Sequence, residues 1–427
     1  MNNKAYEHTK YFVEECGQRI AGTPSVLKAS DYIIDYYKEN GIQTETFEFE
    51  VPVCNVKASV LKAKIGNNWE ELKHTAALFC GQTPEGGIDV PIVYLENGSI
   101  ANFESADVKG KCALICRDVY FEYPDITMYK RLAEYGAAAV IYTTSDGHWD
   151  VPFVYANYET MDEPYTIPTA VILWDTALDI LRRGVSDVHM EIQFDIQTGL
   201  TRSTIGVVEG TDKADETIIC CAHLDSAMSS VGATDDVAGV AIVMELAKYY
   251  NERAKQGKTP RRTIRFIAWS GHECGLHGSK KYLLGNPDIR KNTKFVLNYD
   301  IVGNILCNYS TVGSGAPSVL DKLNQITAEL KFDWPFVNGP MVCDTLNFAK
   351  DQIPHYTLTA GFYCGNHTKY DALNLLSPVG FINPIKHSQA VLEWAFDADE
   401  IEQGFSDDIN DEMQAMGEMY GWGLYDE

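Results

Sequence analysis

No apolar run approaches the roughly 18 to 20 residues that a membrane-spanning helix needs. The opening stretch, MNNKAYEHTKYFVEECGQRI, carries acidic residues where a secretory signal would carry a long apolar core. Taken as the chain's start, it predicts a cytoplasmic protein with no membrane partner. Basic residues are scarce: 35 Lys and Arg face 60 Asp and Glu, for a net charge of -25. A surface of that sign repels phosphate backbones and anionic lipids, which makes nucleic acid a poor partner. The 11 cysteines follow no small-domain spacing, and the adjacent Cys220 and Cys221 sit inside an apolar stretch. Buried thiols are expected there rather than a disulfide framework. Internal repeats and low-complexity linkers are also missing.

What is present reads as an α/β protein. At 427 residues the chain exceeds what one hydrophobic core usually fills, so two domains, or one domain with an insertion, are expected. SVLKASDYIIDYYKENG spaces its apolar residues as a helix and stops at Gly41, suited to a left-handed C-cap. TETFEFEVPV then alternates like a half-buried strand. From about 55 to 200, short strand-like runs (GKCALICRD, AVIYTTS) and one helix-like run (MYKRLAEYGAA) are broken by many Pro, Asn, Gly and Asp. That segment reads as a β-rich inserted domain, with residues 1–54 and 201–395 forming the main one. After 200 the alternation returns: strand ETIICCAH, a helix from about Val237 to Ala254, strand RTIRFIAWS, a short helix after Gly278, and strand KFVLNYDIV. Continuous apolar strands separated by helices predict a mixed, largely parallel sheet sandwiched by helices. The last stretch, 396–427, is strongly acidic and reads as a solvated tail. Its Met413, Met416, Met419, Tyr420, Trp422 and Tyr425 offer apolar surface for packing on the body or on a second copy in a homo-oligomer.

Polar exceptions collect where these strands end, which is where open α/β sheets bind ligands. His223 and Asp225 close the first strand, two apart and so on one side of an extended chain. A carboxylate holding one imidazole nitrogen frees the other for a metal, so Asp225 is expected to orient His223. Asp235 and Asp236 open the following helix, where one can cap while the other binds. Glu273 follows the next strand, Asp300 the one beyond, and His367 lies in a polar glycine-containing loop. Each has an ordinary explanation alone; their ordered succession points to a metal centre. Two imidazoles and three carboxylates suit zinc, with manganese or cobalt as alternatives. Two divalent ions are expected, because with Asp235 as a bridge their charge is balanced by three carboxylates and a hydroxide.

The stretches AHLDS, GATDDVAGVA, IRFIAWSGHECGLHGS, NYDIVGN, CDTLNFAKDQIP and NHTKYD together resemble the co-catalytic di-zinc aminopeptidase family, which includes bacterial leucyl aminopeptidases and glutamate carboxypeptidase II. The segment 55–200 is similar to a protease-associated domain. The resemblance implies that His223 and Asp300 hold one zinc, that Glu273 and His367 hold the other, and that Asp235 bridges. Asp236 would belong to a cis peptide following the bridge.

One position departs from the family. Where the resemblance implies two adjacent glutamates, a general base followed by a ligand, this chain has His272 before Glu273. Three readings follow: His272 is the base; it binds substrate or metal while an acid such as Asp344 handles the proton; or catalysis is lost and the fold serves as a binding module. His277 is expected at the surface. The expected function is hydrolysis of a C–N amide bond, as an exopeptidase or small-peptide amidohydrolase. The resemblance also implies that the base carboxylate lies in the pocket receiving a free substrate amine; an imidazole there removes negative charge, so the expected substrate class extends to N-acyl amino acids and small modified peptides.

Overall fold

The computed structural model describes residues 1–116, 126–144, 147–154, 165–361 and 363–420. The first long helix, Pro24–Glu39, begins with proline at its first position, where no intrahelical N–H is missed, and buries Val26, Ala29, Ile33 and Tyr37 along one stripe. Gly41 ends it in the left-handed region at φ 62°, and Ile42 N–H donates back to the Tyr37 carbonyl.

Seven strands make the sheet that carries the expected ligands, in the order Phe336–Asn338, Ser310–Ser314, His355–Thr359, Thr293–Tyr299, Lys213–His223, Arg262–Trp269 and Asp187–Val208. The four from His355–Thr359 to Arg262–Trp269 pair in parallel, and an antiparallel strand flanks them on each side. Alternation along Lys213–His223 explains why its sequence is apolar throughout. Ile218, Cys220 and Ala222 face one buried cluster with Val240, Phe266, Leu297 and Tyr356, while Ile219 and Cys221 face another with Trp269, Leu283 and Phe348. The sheet is therefore covered on both faces. The helix Ala238–Lys255 is buried continuously from Ala238 to Ala247, because it lies between the sheet and the helices Asn2–Tyr11 and Ile382–Asp397. All 11 cysteines are free. Among the described residues, no helix is long and apolar enough to cross a membrane.

Two very long strands, Gln43–Ile65 and Asp187–Val208, pair antiparallel from Gln43 opposite Val207 to Ala63 opposite Val188. The expected boundaries near 54 and 200 fall inside these strands, at nearly the same level of the ribbon. Beyond it, Ile88–Tyr94, Cys112–Cys116, Ala139–Thr143 and Thr169–Ile172 continue the sheet as a second parallel group, with three short helices among the described residues between strands. This group has its own core, including Leu61, Phe103, Leu114, Ile141 and Ile192.

The acidic C-terminal stretch is not simply a solvated tail. Residues Asp407–Tyr420 form a helix whose Ile409 and Met413, four apart and so on one face, are both buried. Met413 joins the second core beside Leu346 and Ala349. Packing on the body, the alternative that its apolar residues offered, is what Met413 does. Trp422 and Tyr425 lie outside the described residues.

Candidate metal centre

The parallel strands deliver their polar ends to one place. His223 is the last residue of Lys213–His223, Glu273 follows Arg262–Trp269, Asp300 follows Thr293–Tyr299, and His367 lies beyond His355–Thr359. Asp235 sits in the turn that starts the Ala238–Lys255 helix. All five are at most 6% exposed.

Asp235 is the hinge of the arrangement. Its Oδ1 lies 2.8 Å from His223 Nε2 and its Oδ2 lies 3.2 Å from His367 Nε2. His367 Nε2 is also 3.3 Å from Glu273 Oε2. One ligand atom each from His223, Asp235 and Glu273 falls within 4.8 Å of the others, and the same holds for His223, His272 and Asp300. The sequence-derived ligands are thus brought together, with His272 among them.

Each imidazole is aimed by an oxygen at its other nitrogen. His223 Nδ1 is 3.0 Å from the Asp225 carbonyl, His367 Nδ1 is 3.3 Å from the Phe153 carbonyl, and His272 Nδ1 is 3.0 Å from Asp344 Oδ2. An acceptor at Nδ1 places the proton there and turns the Nε2 lone pair toward the carboxylates. Asp225 thus orients His223 through its backbone, not through its side chain as expected. Its buried carboxylate instead accepts the amides of His272 and Glu273, at 3.1 Å each. The reason is geometric: the chain turns after His223, which points the Asp225 side chain at the neighbouring strand end.

Other groups were not foreseen. Asp371 accepts the Thr234 amide and hydroxyl, both at 2.8 Å, and the Asp235 amide at 3.1 Å. Burial, and then the charge of Asp235, push the Asp371 carboxyl up to about 6. Arg19 is fully buried and donates to the carbonyls of Gly17, Leu224, Val231 and Gly232, pinning the loop between His223 and Asp235. Asn366 donates to Asp235 Oδ2 at 3.0 Å. Phe153 comes from the 55–200 segment, and its amide also donates to the His367 carbonyl at 3.2 Å. Of these, Asp371 had a sequence signal, lying in the same polar loop as His367. A contact through the Phe153 backbone has none.

Asp236 caps the following helix, its Oδ1 accepting Gly239 N–H at 3.3 Å, and the Asp235–Asp236 peptide is cis, as the resemblance implied. His277 is buried at 1% exposure, contrary to expectation. Leu276 takes a left-handed conformation that folds the chain back, so that His277 N–H donates to the Gly271 carbonyl at 2.8 Å. Burial, reinforced by Lys281 and Lys280, pulls its imidazole down to about 3. Left-handed backbone also appears at His367 (φ 53°) and at Ile301 (φ 62°) beside Asp300. For residues other than glycine each costs about 1–3 kcal/mol, a pattern that concentrates at functional sites.

The electrostatics favour a cation here. Burial pulls the His223 imidazole down, and so does His272, yet the hydrogen bond and charge of Asp235 hold it up at about 10. Burial drives the Asp235 carboxyl up, but His223 and His367 hold it well below the usual range. Buried carboxylates thus stabilise positive charge at the imidazole Nε2 positions, where a metal ion would sit. The donor set of imidazoles and carboxylates fits zinc.

Residues 203–386 match Peptidase family M28. The M28 match contains every expected ligand, together with Asp225, His272 and Asp344. The chain is 26% identical over 314 residues to aminopeptidase YwaD of Bacillus subtilis, covering 70% of this chain and 61% of YwaD. It is 24% identical over 315 residues to carboxypeptidase Q of Xenopus laevis, covering 70% and 65%. The matched region therefore spans about three fifths of these relatives' length. A zinc aminopeptidase structure from Bacillus subtilis superposes with a TM-score of 0.74 at 21% identity, over 96% of this chain and 98% of that one. The fold is that of the M28 zinc aminopeptidases, a mixed, largely parallel sheet flanked by helices.

Proposed function

We propose that this protein is a di-metal hydrolase of C–N amide bonds, an aminopeptidase-like exopeptidase or a small-peptide amidohydrolase. The observation that carries the reading is the Asp235 carboxylate, which offers one oxygen to His223 and the other to His367. Two imidazoles from separate loops meeting one carboxylate is the arrangement a bridging ligand requires. His223 and Asp300 would hold one ion, Glu273 and His367 the other, and Asp235 both. Zinc is the preferred ion, with manganese or cobalt as alternatives. Bound dications would acidify water and offset charge on the scissile carbonyl oxygen. His272 accepts the water's proton and returns it to the leaving amine.

Substrate preference follows from His272. An imidazole in place of a carboxylate weakens attraction for a free α-amine, so N-acyl amino acids and modified small peptides become substrates alongside unmodified peptides. We assign 55–200 as a protease-associated-like insertion that restrains His367 through Phe153, and place the protein in the cytoplasm.

The test is hydrolysis of matched free and N-acetylated peptide pools by the zinc-, manganese- or cobalt-loaded protein, with products identified by mass spectrometry and Glu273→Ala as control. New products that vanish in the control support the reading. Metal-loaded, folded protein without products would favour the binding-module reading, with His272 marking where catalysis was lost. A strong preference for the free amine would refute the substrate proposal.

A further inference from the structure

We infer that Asp344 is the positioning residue of a carboxylate–imidazole pair, holding His272 as a proton acceptor outside the coordination of the ion assigned to His223. The inference deepens the hydrolase reading and rests on it. Asp344 is 1% exposed, and its Oδ2 lies 3.0 Å from His272 Nδ1. Its Oδ1 accepts the Ser279 hydroxyl, and Ser279 Oγ in turn accepts Asn347 Nδ2 at 2.9 Å. The same Nδ2 donates to the Leu276 carbonyl at 3.2 Å. Two elements, the Glu273–Ser279 turn and the Asp344–Asn347 segment, thereby fix the carboxylate.

His272 is held from three sides. Its amide donates to Asp225, its Nδ1 faces Asp344, and its ring lies flat on His223 with centroids 3.8 Å apart and planes inclined by 8°. That stacking separates base from ligand. An imidazole would hold zinc through the lone pair of its unprotonated nitrogen. With the rings stacked and parallel, the Nε2 lone pairs of His223 and His272 lie in separate planes and do not converge on one point, so His223 would hold the ion while His272 keeps its Nε2 for a proton. His272 Nε2 points into the same space, 3.9 Å from Asp300 Oδ2, with its lone pair available to a water.

In the reaction, a water O–H proton passes to His272 Nε2 as the oxygen bonds to the carbonyl carbon. The C–N bond then breaks, and the proton goes from Nε2 to the departing nitrogen. Asp344 stays ionised throughout, fixing the tautomer and stabilising the transient imidazolium.

Two measurements test this on the full chain. The first is a double-mutant cycle on kcat. Asp344→Asn should lower it by about 10²–10⁴ with KM little changed, on the scale of general-base catalysis. In a His272→Glu background, where the base needs no tautomer, the same change should cost less than about threefold. Equal losses in both backgrounds would make Asp344 merely structural and overturn the inference. The second needs no activity: ¹⁵N-histidine NMR of protein loaded with ¹¹³Cd, using His272→Gln to assign that ring. Cadmium coupling to two imidazoles, with His272 Nδ1 protonated and uncoupled and its ¹⁵N shifts altered by Asp344→Asn, supports the pair. A third coupled imidazole that disappears in His272→Gln, or His272 shifts unmoved by Asp344→Asn, refutes it. No coupled imidazole at all refutes the metal-centre reading instead.

Discussion

Replacing Asp225 with asparagine tests how the site is built without touching a proposed ligand. The Asp225 carboxylate is fully buried and accepts two backbone amides, from His272 and Glu273, at 3.1 Å each. Asparagine keeps one acceptor oxygen and turns an NH₂ donor toward the other amide. One hydrogen bond to a charged group, worth about 1.5–3 kcal/mol, is lost, and a buried N–H is left facing a donor at a further cost of about 1–3 kcal/mol. Removing a buried charge offsets part of this, leaving a net loss near 3 kcal/mol for the metal-loaded protein. Asp225→Ala, which strips both amides of their acceptor, should cost more. The assay is urea unfolding of the zinc-loaded full chain, read as a shift of midpoint at constant slope, alongside kcat. Because a displacement of about 1 Å at a reacting group can cost about 10²-fold, activity should fall further than stability alone explains. If Asp225→Asn unfolds at the wild-type midpoint and turns over normally, the carboxylate does not clamp the 272–273 turn and the account of how these residues are positioned fails.

Three other outcomes follow. Chelation should lower the thermal midpoint in proportion to metal affinity, since a ligand at 100 times its Kd stabilises by about 2.7 kcal/mol; calorimetry with and without chelator checks this, and an unchanged midpoint counts against a bound metal. His387 and His355 are buried, and burial pulls both imidazoles down to about 4. Between roughly pH 6.5 and 4 the unfolded chain binds more protons than the native one, so stability falls on acidification through that window and levels off below it, by about 3 kcal/mol for each histidine. His387→Gln should flatten this slope in thermal scans against pH, even though lost ring packing on Trp334 and Tyr356 lowers the plateau. Met413→Ala should cost about 2 kcal/mol in urea unfolding, at the low end for burying a smaller side chain; no change would show that the C-terminal helix does not anchor the second core.

How much was legible in the sequence depended on whether a feature was local. Periodicity fixed the Pro24–Glu39 and Ala238–Lys255 helices to within a residue or two, and the run ETIICCAH announced a strand buried on both faces. That the candidate site residues would come together was legible because parallel strands bring residues distant in sequence to one edge, so order along the chain becomes proximity in space. What stayed hidden depends on side-chain direction or on backbone groups. The Asp225 side chain and carbonyl could each have served His223, and only the turn after His223 decides between them. Phe153 acts through its amide and carbonyl, which no residue type advertises. His277 reads as polar and exposed until the left-handed turn at Leu276 folds it inward. In the C-terminal stretch Met413 was visible as apolar surface, but the excess of acid favoured a solvated tail, and Ile409 was not singled out.

The most direct test of the central claim is anomalous diffraction at the zinc edge from crystals of the zinc-loaded protein. The account predicts two zinc peaks flanking Asp235, one contacting His223 and Asp300 and the other Glu273 and His367, with His272 bonded to neither. A single peak, or one in which His272 takes a coordination position, would contradict it.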